Sequence, residues 1–417
     1  MQFHVLGLGA IGSLLSYHLR RSLPAGNVVT LIHKSIRQAR NTIESGPSVC
    51  VENDGVVSCA TGYKAEVFEG TITPRIPLSE RTEENKGKGS SFTLNNIQDA
   101  ENIESLFVTT QAHQTLPAIR RLSPRLSGNS TIVLLSNGMG IYEELVEKIF
   151  RNPYNRPHFI LASNTHGAFI RSRTTRFNVV HTGVGEIQFG IVPDPQGRNF
   201  EAGFLDPEIS PTERQATITD ITTTPEQDPQ FSKYRSLRNT VAALLLMENL
   251  HTSWRPMEDI QSAMRRKLVV NSVINPLTAV LGCRNGELFA HPAATSILRG
   301  VCAEASRVYA AEMRAQATAY EQSMGPTSED DPILFSRLPS ALKAPSLQQE
   351  VLRVAELTKG NFSSMLESVR RGSETEIRYM NGHLLRMGKA YNIRMPYTAS
   401  LMHMLQLRSA IPIAANL

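Results

Sequence analysis

"QFHVLGLGAIGSLLSYHLRR", residues 2–21, runs from apolar residues through a cluster of glycines into a stretch with helical periodicity. Residues 2 to 6 read as a short strand, and Ser13 to Arg21 as a helix with Leu14, Leu15 and Leu19 on its apolar side. Between them, Gly7-Leu8-Gly9-Ala10-Ile11-Gly12 has the G-x-G-x-x-G spacing. That spacing is common by chance, but a strand before it and a helix after it point to a dinucleotide-binding turn. Gly7 permits the tight turn, Gly9 lets the backbone approach a pyrophosphate, and Gly12 allows close helix–strand packing. The free N–H groups of the helix would then face the phosphates. A tight strand–helix turn that holds no ligand is the alternative.

"NVVTLIHK", 27–34, reads as a second strand, which makes residues 1 to 34 one strand–helix–strand unit. An NAD site usually places an acid at the end of this strand, on the ribose 2′-hydroxyl. Here the positions hold His33, Lys34 and then Arg37, with no acid nearby. Positive charge favours a 2′-phosphate, hence NADP; the alternative is that Lys34 and Arg37 are solvated residues at a helix start. Further buried-type strands are expected at 105–110, 130–140 and 158–167, and the alternation argues for a parallel sheet covered by helices. Beyond about residue 235 the pattern is helical almost throughout. The expected fold class is α/β: a Rossmann-type dinucleotide-binding domain over 1–250, then an all-α domain over 251–417.

With 417 residues and 41% hydrophobic content, the chain can bury a large core in about two or three domains. No apolar run approaches the roughly 20 residues of a membrane span, and no targeting segment stands out. A cytoplasmic protein is expected, with a mitochondrial one left open. The net charge of +5 is mild, and the basic residues lack interleaved aromatics, which argues against nucleic acid and suits anionic small molecules. Cys50, Cys59, Cys283 and Cys302 show neither metal-ligand spacing nor a disulfide framework, so no metal is expected and a reducing compartment is inferred. Polar, proline-bearing stretches at 70–99, 192–233 and 325–348 read as long loops or partly disordered insertions.

"KLVVNSVINPLTAVLGCRNGEL", 267–288, poses the chemical question. Lys267, Asn271 and Asn275 lie at i, i+4 and i+8, one face of a helix otherwise filled by Leu268, Val269, Val270, Val273 and Ile274. Pro256 fits the helix start, and the Asn275-Pro276 step its end. A buried ammonium loses its proton readily, which suits an acid that donates near neutral pH. The bland alternative is a snorkelling lysine with two amides on neighbouring backbone. Downstream, 362–393 reads as helix, break at Gly372, helix. There Ser373 and Glu376 have capping-box spacing, so Glu376 could be only a cap and Ser364 only a helix-start residue.

Taken together these motifs resemble the ketopantoate reductase family. "GLGAIGSLL" is similar to its dinucleotide turn, "SNGMG" (136–140) to its "HNGMG", and "NTHGA" (164–168) to its Thr-His segment. The 267–288 stretch is similar to its lysine helix and "SSMLESVRRGSETEIRYMNG" (363–382) to its substrate segment. The resemblance covers about two thirds of the chain and is closest to fungal members, given the insertions. It implies NADPH-dependent reduction of 2-dehydropantoate to (R)-pantoate, on the way to pantothenate and coenzyme A. Lys267 would be the general acid, Glu376 would bind the substrate hydroxyl, and Ser364 its carboxylate. Asn271, Asn275 and Asn285 would line the substrate, and Asn137 would touch cofactor and lysine.

Three departures from the family pattern stand out: Gln111 where a lysine is frequent, His33-Lys34 where an arginine is frequent, and Arg378 where "TEID" has its acid. Gln111 would lose one phosphate-side contact while staying beside the cofactor. The alternatives are a reductase of another branched 2-keto acid, or a catalytically silent relative that binds or regulates. The expected partner is a small 2-keto acid, with a homodimer allowed and neither nucleic acid nor membrane expected.

Overall fold

The computed structural model describes residues 1–74, 92–94, 101–172, 177–210, 212–324 and 338–411. They form two compact units: Met1–Ser136 with Tyr142–Ile260, and Asn137–Ile141 with Gln261–Leu417. The first unit opens with β1 (Gln2–Leu6), α1 (Ala10–Ser22), β2 (Val28–His33) and α2 (Ile36–Glu44). Five strands follow: β3 (Ser48–Asn53), β4 (Val56–Thr61), β5 (Tyr63–Val67), β6 (Gly70–Pro74) and β7 (Phe92–Leu94). Next come β8 (Ser105–Val108), α3 (Ala112–Leu122), β9 (Thr131–Leu134) and α4 (Ile141–Lys148). The unit continues through β10 (His158–Asn164), β11 (Gly167–Ser172), β12 (Phe177–Gly183) and β13 (Ile187–Ile191). It closes with α5 (Ile218–Ile221), α6 (Arg235–Leu245) and β14 (Thr252–Trp254).

Ten strands make one sheet in the order β14-β13-β10-β9-β8-β1-β2-β5-β6-β7. Its centre, from β10 to β5, is parallel. Val5, Leu31, Phe107, Val133 and Ile160 are fully buried there, as strands covered on both faces must be. The chain leaves β1 for β2 on one side and returns to β8 on the other. That reversal is the switch point where open α/β sheets bind ligands, and Gly7 follows β1 at this place.

A second sheet, ordered β11-β12-β3-β4, has no counterpart in the expected strands. Its signal is Asp54-Gly55: both residues take positive φ (48° and 81°) and join Asn53 to Val56 as a two-residue hairpin turn. That register places Cys50 opposite Cys59, and the two form a disulfide with Cα atoms 4.1 Å apart. The expectation of no disulfide is therefore corrected. Cysteine spacing carries no information about a cross-strand pair whose partners the turn alone brings together.

The 192–233 stretch is also not the loose insertion expected, apart from residue 211, which lies outside the described residues. Arg198 grips Asp228 with both guanidinium nitrogens (2.6 and 3.1 Å), donates to the Ile221 carbonyl, and stacks on Tyr234 at 4.4 Å. Phe200 and Ile221 are buried in the core with Tyr234, and Glu201 accepts the Met257 N–H at 2.6 Å. A few apolar anchors and one forked ion pair order a segment whose average composition is polar. Of the other two, most of 70–99 and residues 325–337 lie outside the described residues. Residues 338–348 are ordered, with Pro345 in the first turn of a helix, where its missing N–H costs nothing.

The second unit is helical: α7 (Met257–Leu281), α8 (Pro292–Met324), α9 (Ala344–Leu357), α10 (Ser364–Arg370), α11 (Asn381–Ala390) and α12 (Pro396–Ala410). Short 3₁₀ turns at Asn285–Ala290, Ser340–Leu342 and Glu376–Tyr379 link them. Val273, Val301, Val308, Val351, Leu384 and Leu405 are fully buried in its core. Contrary to expectation, α7 does not end at Asn275-Pro276 but runs five residues further, to Leu281. A proline inside a helix orphans the carbonyl four residues back and costs about 3 kcal/mol. Here that carbonyl, Ser272, accepts a hydrogen bond from Asn381 Nδ2 at 3.0 Å, so the tertiary contact overrides the local stop signal.

If 192–233 is part of the core, Phe200→Ala should destabilise the protein by about 3–5 kcal/mol, the usual loss for a buried phenylalanine. Chemical denaturation measures it. A change under about 0.5 kcal/mol, typical of an exposed loop, would return the segment to the loose-insertion reading.

Candidate active site

The glycine turn is built as its spacing predicts. Gly7 has φ 100°, and a Cβ there would lie 2.5 Å from the Thr110 nitrogen. The Thr109 hydroxyl donates to the Gly7 carbonyl at 2.6 Å, which locks the turn against the end of β8. A Cβ on Gly12 would collide with that same carbonyl, whereas one on Gly9 would meet nothing within 4 Å. Gly9 is also the N-cap of α1 and makes no side-chain cap hydrogen bond. Two glycines are thus needed for packing, and the third opens onto space beside uncapped helix N–H groups. Leu8, Ala10 and Ile11 complete the turn. These residues fit a dinucleotide pyrophosphate.

At the end of β2, His33 is buried, and burial pushes its imidazole down to about 4. It is neutral near pH 7, so the expected cluster of three positive groups reduces to Lys34 and Arg37, both exposed. Lys34 Nζ donates to Gln114 Oε1 at 3.1 Å, and Gln111 is the N-cap of α3 just before it. The end of β2 and the start of α3 are thus joined through Lys34 and Gln114, with Gln111 just before them, while Arg37 lies exposed in the first turn of α2.

In the second unit, α7 carries the polar stripe as the i, i+4, i+8 spacing requires. Burial lowers the Lys267 ammonium to about 8, while the carboxylate of Glu376 acts in the opposite direction. Asn271 is half-buried. Asn275 is buried, with Nδ2 3.7 Å from the Met380 thioether. Asn285 is buried too; its Nδ2 donates to Thr358 Oγ1 at 2.9 Å, and its Oδ1 has no partner among the described residues. Asn275 and Asn285 thus also brace the helices around the stripe.

The capping box read at Ser373 and Glu376 does not form. Ser373 donates to the Ser368 carbonyl, and Glu376 opens the 3₁₀ turn Glu376–Tyr379 with Thr375 as its N-cap. Glu376 is buried, so its carboxylate serves the Lys267 neighbourhood rather than a helix end. Ser364 lies exposed in the first turn of α10. Its neighbour Ser363 is the N-cap, buried, accepting from the Leu366 N–H at 3.1 Å and from Thr278 Oγ1 of α7 at 2.7 Å. This tie was not legible beforehand, because two adjacent serines look alike until the helix start is placed.

Asn137 belongs to the second unit although sheet strands flank it in sequence. The Met139 N–H donates to the Tyr379 carbonyl at 3.0 Å. Gly138 and Gly140 have φ 85° and 93°, and Cβ atoms there would lie 2.6 Å from Tyr379 O and 2.9 Å from His383 Nδ1. The "NGMG" segment is pressed onto the Glu376–Tyr379 turn so closely that only glycine fits. The Glu376–Tyr379 turn therefore carries Glu376 and seats the segment that follows Asn137, while Lys267 on α7 lies within electrostatic reach of Glu376.

Residues 3–194 match the family described as ketopantoate reductase PanE/ApbA, and residues 259–409 match ketopantoate reductase PanE/ApbA C terminal. A 2-dehydropantoate 2-reductase of Vibrio cholerae is 26% identical over 402 residues, covering 96% of this chain and 95% of that one. One of Saccharomyces cerevisiae is 25% identical over 393 residues, covering 94% and 89%. Among solved structures, a D-mandelate dehydrogenase bound to NADH and anilino(oxo)acetate aligns with TM-score 0.64 at 17% identity, covering 98% and 99%. A PanE/ApbA family ketopantoate reductase from Ralstonia eutropha JMP134 aligns with TM-score 0.62 at 16% identity, covering 98% and 99%. At such identities the structural likeness speaks for the fold alone.

Because Glu376 supports the charged form of Lys267, Glu376→Gln should move the lysine's pKa below about 8. Side-chain NMR titration of labelled lysine would read this directly. An unchanged or raised value would show that the carboxylate is not its electrostatic partner.

Proposed function

The chain belongs to the ketopantoate reductase family, and on that premise we propose that it reduces 2-dehydropantoate to (R)-pantoate with NADPH, a step toward pantothenate and coenzyme A. The observation that carries this reading is the face of α7 that bears Lys267, Asn271 and Asn275, with buried Glu376 as the lysine's electrostatic partner and desolvation drawing its ammonium down to about 8. A reduced nicotinamide nucleotide, when bound at the Gly7–Gly12 turn, supplies a hydride. The substrate's carbonyl oxygen then gains negative charge, which the Lys267 ammonium stabilises and protonates. A lysine at its ordinary pKa would hold its proton too tightly to donate well near neutral pH; desolvation corrects this.

Glu376 accepts the substrate hydroxyl and keeps the ammonium charged between turnovers. Ser364, exposed at the start of α10, takes the carboxylate. Asn271 lines the substrate beside Lys267, with Asn275 and Asn285 behind it, and Asn137 orients the nicotinamide amide near the lysine. Lys34, with Arg37, supports NADPH over NADH through the 2′-phosphate; Gln111 supplies a neutral contact beside it. The alternatives, another branched 2-keto acid or a silent relative, are separated by one experiment. NADPH absorbance is followed with purified protein, 2-dehydropantoate and a panel of other 2-keto acids. No oxidation with any substrate would leave the silent reading.

Lys267→Ala should lower turnover by about 10²–10⁴-fold, the usual worth of a positioned proton donor. The variant should stay folded by circular dichroism but with a lowered melting temperature, because it leaves the buried Glu376 carboxylate without its opposing charge. Near-normal turnover would end the general-acid role.

The pH dependence has a defined sign. Lysine's folded pKa lies below its ordinary value, so the folding cost of the charged form is full below about 8 and fades as pH rises. The kcat/KM for reduction should accordingly be level below about 8 and fall above it. A profile level through pH 10 would contradict proton donation by this group. Lys34→Ala should weaken NADPH binding and leave NADH binding nearly unchanged by fluorescence titration; equal loss for both would show that Lys34 does not face the 2′-phosphate.

A further inference from the structure

Pro276 lies inside α7, so the helix lacks one N–H and the Ser272 carbonyl has no partner within it. Both Ser272 and Asn381 are fully buried, so bulk solvent does not reach the orphaned carbonyl. Asn381 Nδ2 donates to that carbonyl at 3.0 Å. Asparagine has a short side chain, so this bond leaves little freedom in where the start of α11 sits along α7. Residue 381 is five positions after Glu376, across one tight 3₁₀ turn. Fixing Asn381 on Ser272 therefore fixes the Glu376 turn on the helix that bears Lys267. The neighbouring Met380 Sδ meets Asn275 Nδ2 at 3.7 Å, and Tyr379 O holds Met139 N at 3.0 Å. The proline thus turns an internal helix bond into a bond between two active segments.

We propose that Asn381 is a positioning residue for the reductase reaction: its amide replaces the N–H that Pro276 lacks and sets Glu376 in register with Lys267. This rests on the roles given to Lys267 and Glu376 above. Two functions of one hydrogen bond have to be separated, satisfying a buried carbonyl and setting register. An alanine at position 276 can do the first and not the second, because its own N–H reaches the Ser272 carbonyl along the helix.

The test compares wild type, Asn381→Ala, Pro276→Ala and the double variant Pro276→Ala/Asn381→Ala. Melting temperature, kcat and KM for 2-dehydropantoate with NADPH, and the NMR-determined pKa of Lys267 are measured for each. Asn381→Ala should lower the melting temperature and reduce kcat by ~10–100-fold, the scale of loss for reacting groups displaced by about an ångström. In the double variant the melting temperature should recover, while kcat stays low and the Lys267 pKa falls as the carboxylate's support weakens. Recovery of kcat and of the Lys267 pKa together with the melting temperature would reduce Asn381 to a helix cap and overturn the proposal. Should Asn381→Ala fail to fold, Pro276→Ala against the double variant makes the same comparison with the carbonyl satisfied in both. Failure of the underlying reading looks different: Lys267→Ala would keep its turnover, whatever the Asn381 variants do to the Lys267 pKa.

Discussion

A lysine ammonium in an apolar helix is the constraint around which the second unit is arranged. Desolvation alone would strip its proton, and an opposing carboxylate alone, in water, would leave its pKa where lysines usually have it. Lys267 sits between these limits because burial dominates and Glu376 only partly offsets it. That balance depends on how far apart two charges are held, so the parts of the chain that carry them must be rigid. The ties from α7 to Ser363, Met380 and Asn381, and from Tyr379 to Met139, supply that rigidity.

The prolines separate local from tertiary control. Pro345 sits where local rules put it, in a first helical turn. Pro276 does not, because a side chain five residues beyond Glu376 donates to the carbonyl it orphans. Local sequence can state that a proline costs a helix its hydrogen bond, but not that another residue will replace it. The 192–233 segment errs in the same direction: its composition is that of a loop, while Phe200, Ile221 and the Arg198–Asp228 fork fasten it to the core. Averages over a window miss anchors of this kind, since a handful of buried or paired residues can fasten a long polar segment.

The candidate site was legible to different depths. Gly7, Gly9 and Gly12 could be given separate tasks from spacing alone, because each follows from the geometry of a strand–turn–helix. The Lys267 stripe was legible as a buried polar face, because helical period places residues four apart together. Glu376 was not: S-x-x-E spacing favoured a cap, and only the 3₁₀ turn after Thr375 removes it from a helix end. His33 counted as a charge in sequence and proves neutral, because its side chain is buried where β2 meets Phe177. The disulfide was readable in principle through the Asp54-Gly55 turn, which sets the register that faces Cys50 with Cys59.

By itself the sequence determined what short-range geometry can encode: the alternation of strand and helix, the glycine turn, and the helical face bearing Lys267, Asn271 and Asn275. Periods of 2 and 3.6 and the steric demands of glycine act over a few residues, so a linear string contains them completely. Only the tertiary structure decided the charge of His33, the continuation of α7 through Pro276, the membership of Asn137 in the helical unit and the pairing of Glu376 with Lys267. Each of these depends on burial or on a hydrogen-bond or electrostatic partner far away in the chain, and desolvation and partner geometry are properties of the packed chain rather than of any segment.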